Sequence, residues 1–384
     1  MSSPFDFAAQ LAEIERAALL RRRRTVDSPC APQIEVAGRS LLAFCSNDYL
    51  GLAADPALIA AAQEGAQRYG VGSGGSQLIS GFYAPHLALE ERLARFVGMP
   101  SALCFSSGYL ANMGVITALL GPGDAVFSDE LNHASLIDGI RLSGAEKQVY
   151  PHLDMGALER ALVSCRSPRK LVVSDAVFSM DGDLAPLPQL LSLCREHDAL
   201  LLVDDAHGFG LQGPQGRGSL AHFGLSDPRI LCMGTLGKAA GVSGAFVAGA
   251  SEVIEWLLQK ARTYIFETGS PPLLSHATLT AIDLIEAGDA RRAHLQQLIA
   301  QLRAGLAGLP WTLGESLTPI QPLIIGANEE ALAVGAALLE EDIWVPVIRP
   351  PTVAPGTARL RISLSAAHSP AQVERLIAAL RRLG

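Results

Sequence analysis

The sequence predicts an α/β protein: a mostly parallel central sheet with helices on both faces, plus a smaller C-terminal α/β domain. Three observations predict it. From about Ser101 onward, short apolar runs alternate with amphipathic stretches, the pattern of strand–helix–strand units. At 384 residues the chain is longer than one hydrophobic core usually organises. Hydrophobic residues make up 49% and charged residues 18%, enough for a sizeable core. The expected divisions are 1–50, an N-terminal helix and short strands; 51–285, the large domain; and 286–384, the small domain.

Each element has its own signal. Phe5–Leu20 carries apolar residues at helical spacing, with Asp6 near its start and Arg21-Arg22-Arg23-Arg24 at its end, an amphipathic helix. Glu35–Leu50 reads as short strands leading into Ser46-Asn47-Asp48-Tyr49-Leu50. Leu58–Tyr69 and His86–Phe96 read as helices, with the flexible loop Gly70-Val71-Gly72-Ser73-Gly74-Gly75-Ser76 between them. The sheet is expected from Ala102–Phe105, Ala125–Ser128, Leu171–Ser174, Ala199–Val203, Ile230–Met233 and Ala245–Ala248. After Pro271-Pro272, Leu273–Leu306 reads as one long helix bridging to the small domain. That domain has strands Ile320–Ile325 and Leu360–Leu364 and helices Glu329–Glu340 and Pro370–Leu383. No internal repeat interrupts the pattern.

Composition also excludes. A net charge of −8 argues against nucleic acid as the main partner. No apolar run is long enough to span a bilayer. Met1–Gln10 resembles neither a signal nor a transit peptide, so the expected address is the cytoplasm. The six cysteines form no C-x-x-C pair, so neither a metal site nor a disulfide framework is expected. The arginine run at 21–24 reads either as a solvated helix end or as an anion contact for substrate.

The chemistry is sought at the carboxyl ends of the strands, where ligands bind in such sheets. Of four lysines, Lys147, Lys170 and Lys260 have surface-like neighbours, whereas Lys238 follows an apolar strand amid small residues in Gly234–Gly241. A lysine held there loses proton affinity and becomes a base and nucleophile, although a strand-end cap would look the same. Asp204 ends the apolar run Leu200–Val203, where a carboxylate is costly unless it meets a partner such as a pyridinium nitrogen. The stretch between Asp204 and Lys238 leaves room for one helix and the next strand, which sets both at one sheet edge. Ser106-Ser107-Gly108-Tyr109 opens a helix after a strand, an anion site or an ordinary cap. His133 follows another strand and can stack on a ring; Ser179 and His207 can reach a ring oxygen. Each signal is modest alone, and their convergence on one edge is strong.

The segments Val203-Asp204-Asp205-Ala206-His207-Gly208, Thr235-Leu236-Gly237-Lys238 and Arg359-Leu360-Arg361 resemble the signatures of the α-oxoamine synthases. These are pyridoxal-phosphate (PLP) enzymes of the aspartate-aminotransferase-like fold, fold type I, and the resemblance runs from Arg21 to the final helix. It implies that Lys238 carries the cofactor covalently and later acts as acid and base, while Asp204 pairs with the ring nitrogen. It further implies that His133 stacks on the ring, Ser179 and His207 contact its phenolic oxygen, and Gly108, Tyr109 and Thr235 hold the phosphate. Arg361, with Asn47, would bind the amino-acid substrate. A homodimer with shared sites is implied, with Thr268 and Ser270 reaching the neighbour's phosphate.

Within the family, Ser46–Leu52, Gly72–Ser76, Leu131–Gly139 and Ile348–Val353 are similar to members that join L-alanine to a pimeloyl thioester, on CoA or acyl carrier protein, with loss of CO2. Arg21 and Thr352 would then contact the acyl substrate. Phe82–Pro85 departs from that pattern in being less polar. Glycine C-acetyltransferase, 5-aminolevulinate synthase and serine palmitoyltransferase are rivals within the family. A nucleotide-binding reading of Gly70–Gly75 matches G-x-G-x-x-G in letters, but the segment follows a helix and lacks the dinucleotide context.

Overall fold

A computed structural model describes residues 5–17 and 19–384; Met1–Pro4 and Ala18 lie outside the described residues. Helix α1 (Phe7–Arg16) is capped by Asp6, whose carboxylate accepts the Ala9 N–H, and none of its side chains is buried. It is shorter than the apolar spacing to Leu20 suggested. Its apolar stripe lacks a packed neighbour to extend it, and Arg21–Arg24 follow in irregular chain, not on the helix. A hairpin of β1 (Gln33–Val36) and β2 (Arg39–Ala43) comes next. Its turn residues Ala37 and Gly38 both have positive φ, 50° and 76°, as a two-residue hairpin turn requires.

Two helices, α2 (Pro56–Tyr69) and α3 (Ala84–Val97), lead into the main sheet. Its elements are β3 (Ser101–Phe105), α4 (Gly108–Leu119), β4 (Ala125–Asp129), α5 (Ala134–Ser143), β5 (Glu146–Tyr150), α6 (Met155–Ser164), β6 (Lys170–Asp175), α7 (Leu187–Glu196) and β7 (Leu200–Asp204). A one-turn helix α8 (Ser219–His222), β8 (Ile230–Thr235) and β9 (Ala245–Gly249) complete it. The strand order is β3-β9-β8-β7-β6-β4-β5. The β5-β4-β6-β7-β8 run is parallel, and β9 runs against both of its neighbours, so the sheet is mostly parallel, as expected.

Alternation along the strands builds the two faces. Val126, Leu171, Val173, Leu202 and Leu231 pack into one core with Val115 and Ile116 of α4 and Leu136 of α5. Phe127, Val172, Leu201, Val203 and Cys232 point the other way, onto Leu158 of α6 and Leu190 and Leu191 of α7. A parallel sheet buried on both faces in this way reads as near-continuous apolar runs, the signal seen in the sequence. The edge strand β5 was not anticipated: Glu-Lys-Gln-Val-Tyr is mostly solvent-facing and carries no apolar run.

Helices α9 (Ser251–Lys260) and α10 (Arg262–Ile265) precede α11 (Pro272–Glu286) and α12 (Asp289–Leu306). The single helix expected over 273–306 is therefore two. The break falls at Ala287-Gly288, where a Cβ on Gly288 would stand 2.9 Å from the Leu284 carbonyl oxygen. The small sheet follows, β10 (Thr312–Leu313), β11 (Ile320–Gly326), β13 (Val347–Ile348) and β14 (Ala358–Ser363) in order β10-β11-β14-β13, with α13 (Asn328–Glu340) and α14 (Pro370–Leu383). Between these, β12 (Ile343–Trp344) pairs with β2, which ties the N-terminal hairpin to this end of the chain. No helix among the described residues is long and apolar enough to cross a membrane.

Candidate active site

The strand register delivers the site. Parallel pairing sets Asp175, the last residue of β6, opposite Asp204, the last of β7, and Asp204 opposite Met233 near the end of β8. Three strands thus present polar ends side by side. The first residue of α4, Gly108, opens a helix N-terminus at the same edge, and Ser107 caps it by accepting the Leu110 N–H. Lys238 stands three residues beyond β8 in a turn that only small residues permit. Gly241 has φ of 69°, and a Cβ there would lie 2.5 Å from the Ala53 nitrogen.

One cavity of about 190 Å³ results, lined by Gly108, Tyr109, His133, Ser135, Asp175, Asp204, Ala206, His207, Met233, Thr235 and Lys238. Seven of the predicted residues meet there: Gly108, Tyr109, His133, Asp204, His207, Thr235 and Lys238. Buried Arg361 is joined to Ser179 and Asn47: its Nε donates to the Ser179 carbonyl at 2.6 Å, and its Nη1 donates to Asn47 Oδ1 at 3.2 Å and Ser363 Oγ at 2.8 Å. Arg361, Ser179 and Asn47 do not line the cavity itself, and four further predicted residues lie outside it. Arg21 is exposed in the chain after α1, and Thr352 is exposed in a turn closed by its N–H to the Arg349 carbonyl. Thr268 and Ser270 lie on a segment packed against the Gly-rich loop, through a Thr268–Ser76 bridge and a 2.6 Å bond from Ser73 Oγ to the Gly269 carbonyl.

The electrostatics suit an amine and a carboxylate at work. Asp204 accepts Asn112 Nδ2 at 2.7 Å and the Ala206 N–H at 3.0 Å, so its charge is held in place although buried. The same Asn112 nitrogen reaches Ser135 Oγ at 2.9 Å, and Ser135 Oγ lies 2.8 Å from His133 Nδ1. Neither Asn112 nor Ser135 carries a sequence signal of its own; their role shows only once β7, α4 and α5 meet. Burial lowers the proton affinity of His133, with Asp204 opposing and Lys238 adding to the effect. Burial likewise pushes Asp175 up, helped by the neighbouring Asp204 charge. Lys238 Nζ is 2.9 Å from His207 Nε2. Burial pushes the lysine down to about 8 from its ordinary 10.5, while Asp204 and Asp175 hold it from falling further.

This donor set fits a pyridine ring that carries a formyl group and a phosphate. Lys238 would meet the aldehyde, the N-terminus of α4 with Thr235 the phosphate, and Asp204 the ring nitrogen. Asp175 and Asp204 crowd two carboxyls into one cavity, which favours a cationic ring beside them.

Comparison with known proteins decides the family. The family model for aminotransferase class I and II matches residues 39–380. The 8-amino-7-oxononanoate synthase of Herminiimonas arsenicoxydans is 62% identical over 376 residues, covering 97% of each chain. The chain belongs to the 8-amino-7-oxononanoate synthase family of class I and II aminotransferases. Two solved structures carry the same fold. A variant serine palmitoyltransferase from S. paucimobilis with bound PLP superposes with a TM-score of 0.93 at 31% identity, covering 99% of this chain and 97% of that one. The 8-amino-7-oxononanoate synthase of Francisella tularensis superposes with a TM-score of 0.78 at 30% identity, covering 89% and 97%. The cofactor of this family is pyridoxal phosphate, which the cavity's donor set fits.

Proposed function

We infer that this chain catalyses the decarboxylative condensation of L-alanine with a pimeloyl thioester, giving 8-amino-7-oxononanoate, CO2 and the free thiol, a step of biotin synthesis. The observation that carries the reading is one cavity holding Lys238, Asp204 and a helix N-terminus, in a chain so close to its relatives. When bound, pyridoxal phosphate supplies an electron sink for the charge left at the amino-acid Cα. Lys238 Nζ takes the Cα proton and returns one to the product; a base whose proton affinity sits near the working pH is suited to both transfers. Asp204 keeps the ring nitrogen protonated, and Asn112 keeps Asp204 aimed. His133 stacks on the ring, and Ser179 and His207 address its phenolic oxygen. Gly108, Tyr109 and Thr235 hold the phosphate. Arg361 holds Nε on the Ser179 carbonyl and Nη1 on Asn47 and Ser363, so Nη2, together with Nη1 as it leaves Asn47, serves the substrate carboxylate, with Asn47 beside it.

Arg21 and Thr352, both exposed, contact the acyl chain as it enters, and the carrier is CoA or acyl carrier protein. The working unit is a homodimer in which Thr268 and Ser270 complete the neighbour's phosphate site. Six free thiols suit the cytoplasm. Residues 51–285 form the cofactor-binding domain, with the helix and short strands of 1–50 before it and the small α/β domain of 286–384 after it.

Two measurements test this. Lys238→Ala should lose the visible absorption band of the bound cofactor and lower turnover by about 10³-fold or more; turnover at the wild-type rate refutes the role. A panel of L-alanine, glycine and L-serine with pimeloyl, acetyl and palmitoyl thioesters tests the substrates. The high structural likeness to serine palmitoyltransferase makes L-serine with the palmitoyl thioester the sharpest control.

A further inference from the structure

We propose that Tyr49 is a positioning residue that couples the carboxylate site at Arg361 to the catalytic amine through the tautomer of His207. The proposal rests on the functional reading above. Tyr49 is fully buried in the segment between β2 and α2, and its ring lies tilted against His207 at 6.0 Å between centroids. Its hydroxyl is 2.7 Å from His207 Nδ1 and 3.1 Å from Asn47 Oδ1. The far side of His207 is 2.9 Å from Lys238 Nζ, and the same Asn47 Oδ1 accepts Arg361 Nη1 at 3.2 Å. An unbroken chain of hydrogen bonds therefore runs Lys238–His207–Tyr49–Asn47–Arg361.

A phenol has one proton, and here it faces two acceptors. If Tyr49 donates to Asn47, His207 must carry its proton on Nδ1, donate it to the phenol oxygen, and turn a bare Nε2 toward Lys238. If Tyr49 donates to His207 Nδ1, the imidazole proton sits on Nε2 and points at the amine. Burial, with the positive charges of Lys238, Arg361 and His133, holds His207 well below its ordinary proton affinity, so the choice is between two neutral tautomers. Burial pushes the Tyr49 phenol up and Arg361, facing it directly, opposes this, while Asp204 and Asp175 act on the chain through Lys238. Asn47 Oδ1 is shared between Tyr49 and Arg361. A substrate carboxylate that draws Arg361 toward itself frees that oxygen for the phenol proton. Binding at one end then sets what His207 offers the amine at the other.

The test uses the holoenzyme. Tyr49→Phe keeps the buried ring and removes only the hydroxyl. The pH midpoint of the cofactor's visible band should shift by about half a unit or more, a threefold change in the underlying equilibrium. In parallel kcat should fall about tenfold while KM for L-alanine moves less than about threefold, because a group acting on the amine is felt after binding. An unshifted midpoint overturns the proposal whatever happens to kcat, since lost packing alone can slow turnover. Asn47→Ala approaches the chain from its other end, and should shift the midpoint although Asn47 bonds neither Lys238 nor His207; no shift there overturns the proposal even if Tyr49→Phe fails to fold. The double variant should lose no more kcat than the worse single one, whereas losses that multiply would show independent effects and overturn the coupling. A wild-type enzyme inactive on L-alanine and pimeloyl thioester would instead sink the functional reading.

Discussion

At the scale of single residues, the costly object is Asp204, a buried carboxylate beside a second one, Asp175. Two donors hold it, the Ala206 N–H and Asn112 Nδ2. Asp204→Asn keeps the size and removes the charge that faces the ring nitrogen. Exchange of the L-alanine Cα proton in D2O should then fall by about 10³-fold or more, whether or not a thioester is present, because the loss precedes condensation. Asn112→Ala acts one step removed. It leaves Asp204 short of a donor and should destabilise the apoprotein by about 1–3 kcal/mol in urea titrations, with weaker cofactor binding. The two variants differ in legibility. Asp204 announces itself as an acid ending an apolar run, as Lys238 announces itself by its small neighbours. Asn112 and Tyr49 are ordinary residues whose importance comes from partners 92 and 158 positions away. No local pattern encodes such pairings.

At the scale of elements, the turn that carries Ser179 is clamped by a residue that sequence reasoning passed over. His152 follows β5; its Nδ1 lies 2.9 Å from Asp129 at the end of β4, and its Nε2 lies 2.7 Å from Asp183 in the turn after Ser179. Its ring stands edge-on to Phe178 at 4.5 Å. The Ser179 carbonyl in turn holds Arg361, and Asp181 with the Met180 carbonyl holds Arg359, so the clamp fixes the turn on which the carboxylate site leans. Burial alone would lower the proton affinity of His152, but its hydrogen bonds to Asp129 and Asp183 raise it from 6.5 to about 10. A folded-state value above the unfolded one stabilises fully below about pH 6.5 and is lost as pH rises through 10. His152→Gln should therefore cost about 3 kcal/mol at pH 6 and progressively less toward pH 10, read from urea midpoints across that range. A loss independent of pH would mean the imidazolium is not the clamp.

The clamp shows why some elements were legible and others were not. Strands β6, β7 and β8 are buried on both faces, so their apolar runs name them. Strand β5 is an exposed edge, held by backbone pairing to β4, and looks like loop until that partner is known. The break between α11 and α12 fails to show because Ala and Leu continue on both sides; one glycine close to the carbonyls of the previous turn decides it. Helix α1 shows the opposite error, a good stripe with no buried side chain to hold its last turn.

At the scale of the whole molecule, that unpacked stripe has company. Phe7 on α1 is exposed, as are Val71 and Ile79 in and after the Gly-rich loop and Phe266 beside Thr268, at 77%, 85% and 71% for the last three. Exposed apolar side chains of this size, where they group together, are the kind that a partner covers. The Thr268–Ser76 bridge ties two of these segments together, so burial of the loop would carry Thr268 and Ser270 against the neighbouring subunit. If Thr268 serves the neighbour's phosphate, two inactive variants should complement. Lys238→Ala lacks its own amine, and Thr268→Glu sets a carboxylate against its neighbour's phosphate. In a mixed dimer one site collects both defects, while the other has an intact lysine from one subunit and an intact threonine from its partner. Random reassociation of equal amounts makes half the dimers mixed, each with one good site of two, so specific activity should return to about a quarter of wild type. If Thr268 instead acted within its own subunit, every site in the mixture would keep one defect. The mixture would then be as inactive as its parents, and size-exclusion profiles showing mixed dimers would turn that silence into a refutation.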